Sequence, residues 1–499
     1  MHTKSLHCLL LGTQTVTANS GTTAIDLSAG NMITFNQSSN TTVSFASTST
    51  AMDVTIIRVK DANDTARTIT WPDSVKWNSG SAPTLISGTQ LSNESQQFQL
   101  LTRDSGVTWY AWENMKNGFT GKNQLWMWGR NDQQGTLGQN DLTQRSSPVQ
   151  VGTNDVWSSV SQFQYSVASI KADGTLWGWG RNQSGQLGQN ESSGSPSKFS
   201  SPVQIGGNTN WSKLNQTNAN NTSTIFSIKT DGSLWGWGEN DKGLMGINIQ
   251  EGTSYSSPTQ VGTDTTWDQI SASGNTAVSI KTDGTLWVWG QNGNYGPFGN
   301  NNRGQEFSSP VQIGTNTNWE YVEMSGYNGL GWHGIKTDGT LWGTGYNYYG
   351  TIGNNTAYWN SGGNNGYSSP VQIPGTTWSK TSSSVNATFG VKTDGTLWAW
   401  GDNEFGELGM NTAGHPQMRS SPIQIPGTTW SEVCAGVYYT VQALKTDGTL
   451  WSWGYNGVGE LGQNEQGPSS FKSSPTQIPG TWVGLGGNGL RASAAIKQP

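Results

Sequence analysis

Leu176-Trp-Gly-Trp-Gly-Arg-Asn-Gln-Ser-Gly-Gln-Leu-Gly188 is the stretch on which the fold turns. Its core, Leu-Trp-x-Trp-Gly, recurs at 125–129, 176–180, 234–238, 286–290, 341–345, 397–401 and 450–454, with Thr344 replacing the second tryptophan of the fifth copy. Successive first tryptophans lie 51, 58, 52, 55, 56 and 53 residues apart. That period is too long for most helical solenoids and suits one four-stranded propeller blade.

Each copy has further fixed parts. Upstream stands Ser169-Ile-Lys-Ala-Asp-Gly174, where Asp-Gly between apolar residues predicts a tight type I′ hairpin turn. Downstream, the glycines of 182–188 permit a compact loop, and Ser200-Ser-Pro-Val-Gln-Ile205 predicts another strand, its proline placed at the entry where no ladder donor is lost. A lone tryptophan follows in every unit: Trp157, Trp211, Trp267, Trp319, Trp378, Trp430 and Trp482. Burying such rings is worth roughly 2–3 kcal/mol each before entropy, so the periodic tryptophans read as core between blades rather than ligand platforms. The repeated Lys171, Lys229, Lys281, Lys336, Lys392, Lys445 and Lys497 read as solvated strand ends rather than a ring of anion sites.

The two ends of the repeat region fit together. No Ile-Lys-x-Asp-Gly strand precedes the first Leu-Trp copy, and the spare Ala494-Ala-Ile-Lys497 matches it. The expectation is a closed ring in which the last strand completes the first blade, leaving no exposed edge.

Composition agrees. A chain of 499 residues is longer than one ordinary domain, and 26 tryptophans with a net charge of only −6 argue against disorder. The 67 glycines, with abundant Asn, Ser and Thr, argue against a helical protein. No Lys/Arg-rich run marks a nucleic-acid or anionic-lipid footprint, and no stretch approaches the ~18 apolar residues of a membrane helix. Partners are therefore expected to include neither nucleic acid nor membrane. Lys4 followed by Leu6, Cys8, Leu9, Leu10 and Leu11 faintly resembles a signal peptide, but its apolar core is very short. Cys8 and Cys434 alone make neither a disulfide framework nor a zinc site.

Repeats of Leu-Trp-x-Trp-Gly-x-Asn-x-x-Gly-x-Leu-Gly followed by Ser-Pro-Val-Gln resemble the RCC1-type repeat, whose family forms seven-bladed propellers. The resemblance covers roughly residues 120–499. Founding members are chromatin-bound guanine-nucleotide exchange factors, but this chain has neither their basic tail nor a local motif matching an exchange site. The resemblance implies fold and leaves function open.

Before residue 116 the repeat disappears. Alternating runs at 32–35, 43–45, 54–60, 67–71, 98–102 and 107–112, bounded by Gly, Asn, Asp and Ser, predict a small β-sandwich or jelly roll with Trp71, Trp77, Trp109 and Trp112 in its core. Thr68-Ile-Thr-Trp-Pro-Asp-Ser-Val-Lys-Trp77, Ala82-Pro-Thr-Leu85 and Gly106-Val-Thr-Trp-Tyr110 are similar to a module of bacteriophage tail and appendage proteins. That resemblance, over about residues 20–113, implies a phage virion structural protein, such as a tail fibre or capsid appendage. Residues 1–115 would attach to other virion proteins, and residues 116–499 would display a propeller for host attachment. The expected location is the virion, as a homo-oligomer, with a host-surface glycan or protein as receptor. The alternative is a secreted or cell-surface propeller, not virion-borne, that binds protein or glycan.

Chemistry is not expected. His2, His7, His333 and His415 form no metal-ligand spacing, and no nucleophile elbow or phosphate loop occurs. Glu407 and Glu460 stand where another copy has Gln186; a glycosidase pair would need them across one cleft. The chain is read as a non-enzyme with no cofactor and no metal. The partner surface is expected at the fifth blade, whose loop at 354–367 is the longest of its kind. Tyr346, Tyr348, Tyr349, Tyr358 and Trp359 are the candidate receptor-binding rings, the competing reading being that they repack the gap left at Thr344.

Overall fold

The computed structural model divides into two compact units, Met1–Asn123 and Gln124–Pro499. It describes residues 13–18, 21–27, 32–37, 40–46, 52–60, 68–77, 95–102 and 108–118 of the first unit. From residue 123 onward it describes all but 132–133, 154–155, 164, 192–195, 216–222, 251, 326–328, 358–365, 415–416, 468, 490 and 499. The boundary expected at 115/116 falls inside the strand Trp109–Gly118.

The first unit holds two sheets. Thr13–Ala18, Met32–Gln37, Met52–Lys60, Ser95–Thr102, Trp109–Gly118 and Val75–Trp77 make one, and Gly21–Asp26, Thr41–Ala46 and Ile69–Thr70 the other. The first five strands in chain order alternate between the two sheets and pair parallel within each, with Val16 opposite Phe35 and Ile25 opposite Phe45. A jelly roll pairs its strands antiparallel, so this arrangement differs from that expectation. Ile25, Ile33, Phe35, Val54, Ile56 and Phe98 form the buried core, and Trp71 packs edge-on against Phe98 at 5.3 Å.

The second unit is a seven-bladed β-propeller of four-stranded antiparallel sheets. With blades numbered by their Leu-Trp copy, blade 2 runs from the inside out as Trp157–Gln162, Ser166–Lys171, Leu176–Arg181 and Lys198–Gln204. The lone tryptophan thus opens the innermost strand, and the Leu-Trp unit forms the third. Blade 1 closes the ring. Its inner two strands, Trp482–Asn488 and Ala492–Lys497, come from one end of the unit, and Gln124–Gly129 and Arg145–Gln150 from the other. Lys497 lies opposite Gln124 and Ala492 opposite Gly129, the pairing foreseen for the final strand, but two strands rather than one complete the blade.

The repeat residues hold neighbouring blades together. Within blade 2 Trp157 sits 5.9 and 6.3 Å from Trp179 and Trp177, and Trp211, Trp267, Trp378 and Trp430 repeat the arrangement in their own blades. The second tryptophan of each copy reaches into the preceding blade: Trp179 Nε1 donates to Thr136 O at 2.8 Å, Trp237 Nε1 to Gln186 O at 2.8 Å and Trp453 Nε1 to Glu407 O at 2.7 Å. Trp128 Nε1 carries the same bond across the closure, to Glu460 O at 2.8 Å. Nearer the axis a second belt joins the inner strands, with Ser271 Oγ accepting the Met324 N–H at 2.9 Å and Ser382 Oγ the Ala435 N–H at 2.8 Å.

Local motifs follow from the same contacts. Asn182 folds its loop by accepting the Leu187 N–H at 3.0 Å. Gly185, at φ 71°, lets that loop approach the next blade, since a Cβ there would lie 2.7 Å from Ser256 Cα. The Asp-Gly turns are not type I′. Of Asp173 and Gly174 only Gly174 has positive φ (77°), and Asp173 Oδ1 accepts the Thr175 N–H at 3.0 Å. One left-handed residue, with Gly174 N–H donating to Lys171 O at 2.9 Å, fits a three-residue loop with a G1 bulge.

Blade 5 resolves the missing tryptophan. Trp332, on the strand next to Thr344, is fully buried and meets Trp319 edge-on at 5.5 Å. The ring has moved one strand over, and the Thr344 hydroxyl makes the contact between blades instead, donating to Pro297 O at 3.2 Å. Trp332 Nε1 is left buried without a partner.

Candidate functional site: an aromatic band

The residue after each Leu-Trp-x-Trp-Gly unit lies at or just past the end of the third strand, at the blade edge where the first hairpin also turns. In blade 5 it is Tyr346, in blade 6 Asp402 and in blade 7 Tyr455. Tyr346 packs edge-on against Tyr295 of blade 4 at 5.0 Å and lies parallel to Tyr348 at 6.2 Å, and Tyr348 meets Tyr349 at 4.8 Å. Further round, Phe405 contacts Tyr439 at 5.1 Å and Tyr455 at 4.9 Å. The Arg491 guanidinium of blade 1 lies 4.2 Å from the Tyr438 ring centre and 5.6 Å from that of Tyr455. All these rings are half-buried.

Electrostatics join the two halves of the band. Burial raises the Tyr349 phenol, with Asp402, Tyr348 and Glu404 adding to it. Burial raises Tyr439 as well, reinforced by Glu404, Glu407, Asp402 and Tyr349. Tyr346 is raised by burial and then by Tyr349, Tyr295 and Tyr348. The phenols therefore stay protonated at neutral pH and present hydroxyl donors beside acidic groups.

Tyr346, Tyr348 and Tyr349, the described members of the candidate receptor-binding set, lie in contact with one another. They do not fill the gap at Thr344, because Trp332 does. Tyr358 and Trp359 lie outside the described residues. Tyr295, Phe405, Tyr438, Tyr439, Tyr455 and Arg491 were not foreseen. Comparing the one position after each Leu-Trp-x-Trp-Gly unit would have exposed Tyr455 beside Tyr346.

The carboxylates considered for hydrolysis line no cleft: Glu407 is 0% and Glu460 1% exposed. His333 is buried with Ser383 Oγ at 3.3 Å from Nδ1, but its Nε2 has no partner and burial pushes the imidazole down to about 4. A nucleophile of this type needs an oriented base and access to substrate, and this pair has neither. No group of three or more His, Cys, Asp or Glu suited to a metal occurs among the described residues, and no described helix is long and apolar enough to cross a membrane.

Known proteins support the repeat. The model of the regulator of chromosome condensation (RCC1) repeat matches residues 173–214, 231–280 and 394–442, and a second RCC1 repeat model matches 267–296 and 378–407. The ultraviolet-B receptor UVR8 of Arabidopsis thaliana is 25% identical over 356 residues, covering 69% of this chain and 76% of the receptor. The human E3 ubiquitin-protein ligase HERC2 is 24% identical over 62% of this chain, a match that spans only 6% of the ligase. Among solved structures, yeast RCC1 (Prp20) bound to Kap60 superimposes with a TM-score of 0.63 at 17% identity, over 76% of this chain and 89% of that one. Human WBSCR16 gives 0.62 at 17% identity, over 75% and 99% respectively. The chain carries RCC1 repeats, and they build its seven-bladed propeller.

Proposed function

We propose that this chain is a non-catalytic recognition protein whose propeller presents the aromatic band to a partner, while the first unit attaches it to a larger assembly. The observation that carries this reading is the band itself. Tyrosines and an arginine, gathered from four blades at the variable ends of otherwise repeated strands, are the residue types that dominate binding hot spots. Phenol donors next to Asp402 and Glu404 suit the hydroxyls of a host-surface glycan or a polar protein epitope.

The setting we propose is a bacteriophage virion, as a tail or capsid appendage. It rests on the sequence likeness of residues 20–113 to phage appendage modules, with the two-sheet first unit as the attachment domain. Detection of the chain in purified virions by mass spectrometry tests the setting, and its presence only in culture supernatant or on cells would favour a secreted or cell-surface binder. Alanine at Tyr348 and Tyr349 tests the surface: lost binding to host cells with an unchanged Tm supports it, and retained binding refutes it.

A further inference from the structure

The third residue of the inner strand is one that the repeat leaves free to vary. It is Lys213 in blade 3, Tyr321 in blade 5, Lys380 in blade 6 and Glu432 in blade 7, each at least partly exposed. With Ser212 and Leu485 they border a cavity of about 360 Å³. Its lining comes from the inner strands of blades 1, 2, 3, 5, 6 and 7, and side chains from so many blades can meet only at the axis of the ring.

The cavity is a well that opens away from the aromatic band. At the band end of the axis Val437 is buried against Tyr165, Val385 and Tyr438, from the first hairpins of blades 7, 2 and 6. Toward the other end Lys213 and Lys380 stand two residues after the tryptophans that open their strands, with side chains 49% and 44% exposed. The strand-end lysines occupy this same edge, and they sit over indoles rather than simply in solvent: Lys392 Nζ lies 4.7 Å from Trp378 and 4.4 Å from Trp398.

Each lysine of the well already has a carboxylate from the next blade. Lys380 Nζ donates to Glu432 Oε1 at 3.0 Å, and Lys213 Nζ donates to Asp268 Oδ1 and, at 3.0 Å, to Asp268 O. Glu432 Oε2 also accepts the Leu485 N–H at 3.3 Å, which ties blade 7 to blade 1. A charged ligand would set its charge beside one of like sign, whereas a neutral ligand meets both signs without that penalty. An ammonium has three N–H groups and a carboxylate several lone pairs, so Lys380 and Glu432 keep donors and acceptors beyond the bond between them. The Tyr321 hydroxyl is held by Thr381 O at 3.0 Å, which leaves its ring as wall beside Leu485.

We propose that this axial well binds a neutral sugar residue, its hydroxyls bonded to Lys380, Glu432, Lys213 and Ser212 and its C–H face laid on Tyr321 and Leu485. Donors and acceptors side by side suit groups that each do both, as alcohol hydroxyls do, and the volume lies at the small end of ligand sites. The well lies on the opposite side of the propeller from the aromatic band, and its failure would leave that reading untouched.

Isothermal titration of the full chain with the methyl glycosides of glucose, mannose and galactose, each beside the corresponding uronate and amino sugar, tests the proposal. Binding of at least one glycoside is expected, little changed by salt and tighter than that of its two charged counterparts. Lys380→Met should weaken it by about tenfold or more, and Glu432→Gln, which keeps an acceptor for the Leu485 N–H, by a few-fold. Lys472→Gln, on the outermost strand of blade 7, should leave the affinity unchanged. The proposal is overturned if no glycoside binds, if the charged sugars bind as tightly, or if whichever of the Lys380→Met and Glu432→Gln proteins keeps the parental Tm binds as the parent does.

Discussion

Replacing Glu407 with glutamine should stabilise the propeller at alkaline pH and change it little near pH 5. In blade 2 the same loop position is Gln186, whose Oε1 accepts the Ser184 N–H at 2.8 Å. Glu407 Oε2 accepts the Phe405 N–H at 2.8 Å in the same way, and Glu460 Oε2 that of Val458 at 2.8 Å. The second oxygen of each carboxyl, Oε1, is buried without a partner. Such a group fits as a neutral copy of glutamine and resists ionisation. Burial drives Glu407 from 4.5 up to about 8, against backbone N–H groups that favour the anion and with repulsion from Asp402. Burial takes Glu460 to about 7, against its backbone N–H bonds and the charges of Arg491 and Arg130. The folded value lies above the unfolded one, so this contribution to stability is fully present below about 4.5 and is lost as pH rises through about 8. Across that window the displacement of Glu407 corresponds to ~5 kcal/mol, an order-of-magnitude ceiling. Thermal melts of the parent, Glu407→Gln, Glu460→Gln and the double variant at pH 5, 7 and 9 should show a Tm gap that opens with pH and is larger for Glu407. An equal gap at every pH, or a parent more stable at pH 9, would refute the reasoning.

The exchange at blade 5 should be reversible: Thr344→Trp together with Trp332→Val returns an indole to the third strand within reach of Pro297 O and should gain ~1–3 kcal/mol in urea unfolding, whereas Thr344→Trp alone should destabilise by overpacking. Ending the chain at residue 490 removes the strand that pairs with Gln124–Gly129, so size-exclusion chromatography should show aggregation; a monodisperse protein with an unchanged Tm would refute closure as a source of stability. Gly185→Ala forces a Cβ to within 2.7 Å of Ser256 Cα at φ 71°, and its Tm should fall by more than that of an alanine at Gly206, also at positive φ (61°) but with open space around it.

What repetition encodes was legible. Seven copies of one unit averaged out local ambiguity, so the blade count, the burial of the lone tryptophans and of the second tryptophan of each pair, and the pairing of Ala492–Lys497 with Gln124–Gly129 could be read from residue order, whereas the first tryptophan of each pair is only half-buried. The turn type was not legible, because Asp-Gly serves both two-residue and three-residue hairpins and only the backbone distinguishes them. Nor was the topology of the first unit: alternating strands look alike whether they pair with the next strand or the next but one. The candidate site was half legible. Tyr346, Tyr348 and Tyr349 sit together in sequence, but Tyr295, Phe405, Tyr439 and Arg491 reach them only through the ring.

Deviation from the repeat is therefore where individual behaviour resides, and the structure sorts the deviations by what compensates them. Thr344 is answered inside the core by Trp332 one strand away, so the pair changes packing and nothing at the surface. Glu407 and Glu460 are answered by protonation, so they act through pH rather than through contact.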